Sequence, residues 1–196
     1  MTPPAIDTGI RRARLTDAPS IADIHVRSWQ TVYRGMMTDD FLASQLPSQR
    51  YARWERDISA SDDAMAVFVA EEGETDRGQH RRRLLGFCSV CPQRDPAPGD
   101  DLLAPAGELH TMYVDVMFKG AGIVRRLIER GEDQLRDMGF QRAIVWMLAD
   151  NLAARGFYEP MGWQVDGTTA LVRYGDGEVL EIRLAKQLLA RSSGKV

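Results

Sequence analysis

The stretch Val114-Asp-Val-Met-Phe-Lys-Gly-Ala-Gly-Ile-Val-Arg-Arg-Leu-Ile128 leaves a strand-like run, turns through Gly120 and Gly122, and enters an amphipathic helix. A helix N-terminus exposes unpaired N–H groups and carries about +0.5 of partial charge, so phosphate is the ligand it suits best. Glycines at 120 and 122 would let a phosphate approach the backbone, although a turn that needs positive φ accounts for them equally well. No Gly-Lys-Ser/Thr follows, which excludes a Walker loop. A dinucleotide fingerprint wants glycine where Arg125 stands and an acidic residue about 20 positions on, whereas Asp150 comes about 30 on.

Downstream of the loop, Ile123, Leu127, Ile128, Leu135 and Met138 share one side of the helix, with Arg125, Arg126, Glu129, Arg130, Glu132 and Arg136 mostly on the other. Gly139 ends it. Upstream, Glu108–Val114 reads as a strand, and alternation puts Glu108, His110, Met112 and Val114 on one face. Ile10–Leu15 is a first strand. A helix capped by Thr16 or Asp17 runs to about Tyr33 with Ile21, Ile24, Ser28, Trp29 and Val32 at helical spacing, and a second helical region, 39–58, is interrupted by Pro47.

Residues 64–70 and 84–90 are β-rich and suggest an antiparallel pair; residues 92–107 carry too many prolines and glycines to be regular. Residues 143–148 form an apolar strand consistent with burial on both faces. A short helix follows from Leu152 to Tyr158, then β structure at 163–165 and 172–184 with Asp176-Gly177 as the hairpin turn. The expected class is α/β, an α+β mixed sheet of about six to seven strands flanked by about four helices.

With 196 residues and 44% hydrophobic content, the chain suits one domain, expected at 10–187, between a flexible 1–9 lead and a polar 188–196 tail. A net charge of −3 gives no footprint for nucleic acid or an anionic membrane. The Arg81-Arg82-Arg83 run lies among acidic residues and reads as a solvated loop. Cys88 and Cys91, spaced C-x-x-C in a strand-like run, point to opposite faces and read as core thiols rather than a redox or zinc motif. No apolar leader or spanning segment appears, so a cytoplasmic protein is expected.

Met112-Tyr-Val114, Lys119-Gly-Ala-Gly122-Ile-Val124 and above all Asn151-Leu-Ala-Ala154-Arg-Gly-Phe157-Tyr158-Glu-Pro-Met-Gly162-Trp163 resemble the GNAT N-acetyltransferases, over residues 10–185. The opening Asp17–Trp29 with Tyr33-Arg34-Gly35 looks like the first helical region of many bacterial members. The resemblance implies acetyl-CoA as co-substrate, lying where two parallel strands splay apart. Its pantetheine would pair with the backbone of Met112, Tyr113 and Val114, and its pyrophosphate would meet Lys119, Gly120, Ala121, Gly122, Ile123, Val124 and Arg125. Lys119 departs mildly from the family's Gln/Arg, and Val124 replaces Gly/Ala, where a β-branched side chain would crowd the diphosphate.

Acetyl transfer to an amine needs a neutral nucleophile, a polarised thioester and a proton for the leaving thiolate. By resemblance, Tyr158 donates to the sulfur, Asn151 ties the last helix to the cofactor, and Glu108 is the general base, with a raised pKa suiting that work. His110 is a second base candidate. Trp29 and Tyr33 would border the acceptor pocket, and Asp39 and Asp40 either attract a cationic amine or simply start a helix. The function expected is N-acetyl transfer to a primary amine of a small molecule or peptide, without a metal. A domain that binds acyl-CoA as a sensor without turnover is the alternative. The acceptor and the oligomeric state, a homodimer included, are not legible.

Overall fold

The computed structural model describes residues 8–60, 64–72, 83–101, 103–118 and 122–189. Their order is β1 (Thr8–Arg12), α1 (Ala18–Val32), α2 (Asp39–Ser44), α3 (Pro47–Ser59), β2 (Ala66–Glu72), β3 (Leu84–Pro92), β4 (Gly107–Val114), α4 (Ile123–Asp137), β5 (Arg142–Leu148), α5 (Leu152–Tyr158), β6 (Gln164–Tyr174) and β7 (Gly177–Gln187). One seven-stranded sheet runs β1-β2-β3-β4-β5-β7-β6. All neighbours are antiparallel except β4 and β5. Among the described residues no helix is long and apolar enough to cross a membrane.

Local chemistry explains most boundaries. Leu46 is forced into an extended conformation ahead of Pro47, so the helical region expected at 39–58 becomes two helices, and five flank the sheet instead of about four. Asp39 and Asp40 lie in the exposed first turn of α2, where carboxylates suit the helix dipole. β1 stops at Arg12, because Leu15–Asp17 forms a 3-10 turn instead of prolonging the strand.

The helices cover both faces of the sheet. On one side Leu127, Ile128 and Leu135 of α4 pack on Phe68, Cys88 and Leu109. On the other, Ile21 and Ile24 of α1 and Trp54 of α3 pack on Val67, Val69 and Phe87. Cys88 and Cys91 fall on opposite sides as expected, and burial pushes both thiols up to about 12, so neither is a ready nucleophile. Of the arginine run, Arg81 and Arg82 lie outside the described residues; Arg83 pairs with Asp115 at 3.4 Å.

Two expectations of register are corrected. β6 is one strand rather than two pieces: a bulge carries it across Asp166–Thr168, with Gly167 at φ 87° and the Asp166 carboxylate accepting from the Thr168 N–H. The hairpin turn is Gly175-Asp176, one residue earlier than Asp176-Gly177, because Gly175 supplies the positive φ of 61° and Tyr174 pairs with Gly177.

The third correction concerns β4. Ser89 pairs with Thr111 but Val90 pairs with Leu109, so His110 is an extra residue and the alternation changes phase there. Leu109, Met112 and Val114 therefore face α4, while Glu108 and His110 face the opposite side. The shared face expected for Glu108, His110, Met112 and Val114 does not exist.

Candidate active site

The parallel pair β4–β5 forms the centre of the site. Only Gly107↔Ala143 and Glu108↔Ile144 are in register, although the strands continue to Val114 and Leu148. Beyond those pairs the strands part, and the edge of Met112, Tyr113 and Val114 that faces β5 has no ladder partner. Unpaired backbone donors and acceptors seek a partner, and an amide-bearing chain in the gap satisfies them. A cavity of about 370 Å³ lies beside the open end of β4, lined in part by Arg27, Ser28, Asp115 and Met117.

Lys119, Gly120 and Ala121 lie outside the described residues. Gly122 caps α4 at φ 72°, a conformation that L side chains adopt at a cost of about 1 kcal/mol or more. Ile123 is buried, and Val124 packs against the α4-side core, so its bulk has a place away from the helix mouth. Arg125 is exposed and only 3.9 Å from Glu129.

Across the gap stands α5. Asn151 is its N-cap, its side-chain oxygen accepting from the Ala154 N–H at 3.1 Å. At the other end Tyr158 is 4% exposed and packs edge-on against Trp163, ring centroids 5.6 Å apart. Trp163 is itself held by Glu132 of α4 at 3.0 Å, which fixes where α5 ends. Burial raises the Tyr158 pKa, so the phenol keeps its proton, and its hydroxyl has no hydrogen-bond partner among the described residues.

On the other face of the sheet the Tyr113 side chain gathers the two expected acceptor-side aromatics. Trp29 donates to its hydroxyl at 2.7 Å, and Tyr33 shares a hydrogen bond with it at 2.9 Å. Tyr174 of the β6–β7 hairpin packs on Trp29 at 5.7 Å and donates to Glu181 at 2.8 Å. Burial and the charge of Glu108 raise the Glu181 pKa despite the Tyr174 hydrogen bond.

Glu108 and His110 touch each other, Nδ1 to Oε1 at 2.9 Å, and Glu108 Oε2 accepts from the Arg94 N–H at 3.1 Å. Burial works against ionisation, but the His110 hydrogen bond and the Arg94 contacts outweigh it and hold the carboxyl below its usual range, opposite to the raised value that would suit a general base. His110 Nε2 meets Arg53 at 2.8 Å and Arg94 at 2.9 Å; guanidinium only donates, so this nitrogen is unprotonated and Nδ1 carries the hydrogen. Cys91, Glu108 and His110 also bring three potential metal-ligand atoms within 4.8 Å of one another. The two guanidiniums on His110 oppose a cation there.

The loop at 92–107 that carries Arg94 is pinned to the sheet. Arg183 of β7 donates to both oxygens of Asp100 at 2.7 and 2.8 Å, and Asp100 also accepts from the Ala97 N–H. Sequence reasoning missed Glu181, Tyr174, Arg50 and Arg94 in this region. The only signal is the alternation in Val179-Leu-Glu-Ile-Arg-Leu184, whose charged positions read as a solvent face until α1, α2 and the loop cover it.

Beneath the aromatics, buried His25 accepts from Trp54 at 3.3 Å and stacks on Tyr113 at 5.1 Å. Burial first, then Arg50 and Arg53, push its pKa down to about 3. The unfolded value is about 6.5, so the stability this group contributes is complete above that pH and is lost as pH falls towards 3. We expect a loss of about 2 kcal/mol between pH 7 and pH 5 by urea unfolding. In His25→Phe this part of the pH slope should vanish; an unchanged slope would mean that another group causes it.

The acetyltransferase (GNAT) family model matches residues 21–163. The sequence is 30% identical over 142 residues, 72% of each chain, to the uncharacterised N-acetyltransferase YuaI of Bacillus subtilis (strain 168). In structure the chain is similar to the PaiA N-acetyltransferase of Thermoplasma acidophilum in complex with coenzyme A, at TM-score 0.66 and 17% identity, covering 93% of this chain and 99% of that one. It is also similar to yncA of Salmonella typhimurium, solved with its cofactor acetyl-CoA, at TM-score 0.65 and 19% identity, covering 97% and 99%. With a forked β4–β5 pair, a glycine-capped α4 and a family match across most of its length, the chain belongs to the GNAT acetyltransferase family.

Proposed function

We propose that the chain transfers the acetyl group of acetyl-CoA to a primary amine of a small molecule or peptide, by direct attack in a ternary complex. The β4–β5 fork with a buried, protonated Tyr158 across from it carries this reading. The residues present fit the co-substrate. The free edge of Met112–Val114 suits pantetheine amides, and the N-terminus of α4 at Gly122–Arg125, with Lys119–Ala121 before it, suits a diphosphate. Bound there, acetyl-CoA supplies an activated acyl group. A sensor without turnover rested on the bulk of Val124, and the packing of that side chain on the core weakens it.

Within this reading, Tyr158 gives its proton to the departing sulfur, and a backbone N–H in Met112–Val114 stabilises charge developing on the carbonyl oxygen. Asn151 keeps α5, and so Tyr158, in place. We assign proton uptake from the amine to Glu181, whose pKa is shifted towards that task, while Glu108 is shifted away from it and His110 is occupied in positioning Arg53 and Arg94. Trp29 and Tyr33 wall the acceptor side.

The test is acceptor-dependent thiol release from acetyl-CoA across an amine panel, alongside calorimetric titration of CoA. We expect CoA binding and release above the hydrolysis background with at least one amine class. CoA binding without acceptor-dependent release would return the sensor reading.

A further inference from the structure

Three guanidinium groups gather on the acceptor side with little negative charge to meet them. Arg50 of α3 is half-buried, lies over the Trp29 ring at 5.0 Å and donates to Gln45 at 2.6 Å; among the described residues it has no carboxylate partner. Arg94 is exposed and makes no ion pair among the described residues, meeting His110 instead, with Glu108 the carboxylate that feels its charge. Arg53 reaches only Asp57, at 3.4 Å on its own helix. Moreover, Arg53 and Arg94 both direct N–H groups at His110 Nε2, at 2.8 and 2.9 Å. An imidazole nitrogen has one lone pair, so one of these donors is left poorly satisfied, and two cations converge with no anion between them. Nearby, Glu181 already accepts from Tyr174 and Glu108 from His110.

Desolvating a guanidinium without a counter-charge is costly, and planar oxyanions are what its fork of donors fits. We propose that the acceptor is an anionic amine, whose carboxylate or phosphonate-like group is held by Arg50, Arg53 and Arg94 against the Trp29 wall while its amino group is turned towards Glu181. This deepens and rests on the acetyl-transfer reading. It also accounts for the role of the Asp100–Arg183 clamp, which holds the loop so that Arg94 faces His110.

The experiment compares acceptors that differ only at the terminal group. Amino acids, their carboxamides, aminoalkylphosphonates and a polyamine are assayed by thiol release with the full chain, Arg50→Gln and, as a control, Arg173→Gln on the exposed part of β6. We expect the acids or phosphonates to exceed the matching carboxamides in kcat/KM by about tenfold to a hundredfold. Arg50→Gln should erase most of that preference, and Arg173→Gln should keep it. Which oxyanion is preferred identifies the acceptor class. Carboxamides or polyamine used as well as the acids, or a preference intact in Arg50→Gln, would overturn the proposal.

A second readout does not depend on turnover. N-acetylglycine, its phosphonate analogue and N-acetylglycinamide are titrated while tryptophan emission is followed, since Arg50 and Trp29 are in contact. Saturable binding of the acidic probes alone, lost in Arg50→Gln, supports the anion site even if no amine is acetylated, in which case only the transfer reading fails. Equal binding of the amide, or no binding of any probe, counts against the site even if transfer is active.

Discussion

Replacing Tyr158 by phenylalanine is expected to lower kcat about 100-fold and to leave acetyl-CoA affinity within about twofold. The phenol is buried, and its pKa is raised by that burial, so it stays protonated at neutral pH and keeps a hydrogen to present to the developing thiolate, as a weaker acid than a free phenol. Phenylalanine keeps the ring contact with Trp163 and removes one oxygen that no described residue binds, so no polar group is orphaned and stability should change little. Thiol-release kinetics read the first quantity and calorimetry the second. Turnover equal to that of the wild type would remove Tyr158 from the chemistry.

Glu181→Gln is expected to lower kcat/KM by about 100-fold at neutral pH and to alter the pH profile in a way that identifies the base. A base must be unprotonated to act, so the wild-type rate should climb as pH rises through the raised pKa of Glu181 and then level off. Burial and the neighbouring Glu108 charge set that rise above the ordinary carboxylate range. The glutamine variant should lose the rising limb together with its activity. Glu108→Gln, which alters a carboxyl held below its usual range, should keep the limb and move it to lower pH, because the Glu108 charge that helps raise the Glu181 pKa is gone. Should the limb instead disappear in Glu108→Gln and persist in Glu181→Gln, the β4 carboxylate is the base.

How much of this was legible in the sequence depends on the range of the interaction. The helices α1, α4 and α5 were readable because their signals are local: Asp17 with Pro19, the apolar stripe from Ile123 to Leu135, and Asn151 ahead of a run ended by Pro160 and Gly162. Asn151 to Trp163 carried the family resemblance for the same reason. The fork was legible only through that resemblance, since the loss of pairing beyond Glu108 is a relation between strands some 35 residues apart. Acceptor-side residues were less accessible still. Arg50, Arg94, His110 and Glu181 belong to a helix, a loop and two strands, and no spacing links them. The hairpin turn was placed one residue late because Asp176-Gly177 is as good a turn dipeptide as Gly175-Asp176, and only the register across the hairpin chooses between them.

The extra residue at His110 means that β4 is written in two reading frames. Upstream of it, even-numbered positions look towards α3; downstream, even-numbered positions look at α4. Deleting His110 would merge the frames without turning any neighbour: Leu109 and Met112 would still face α4, and Glu108 would stay opposite Cys91 on the other side. The extra residue thus adds an imidazole beside Glu108 while the packing of Leu109 and Met112 on the opposite face stays in step, so the sheet gains a polar group there without giving up its core.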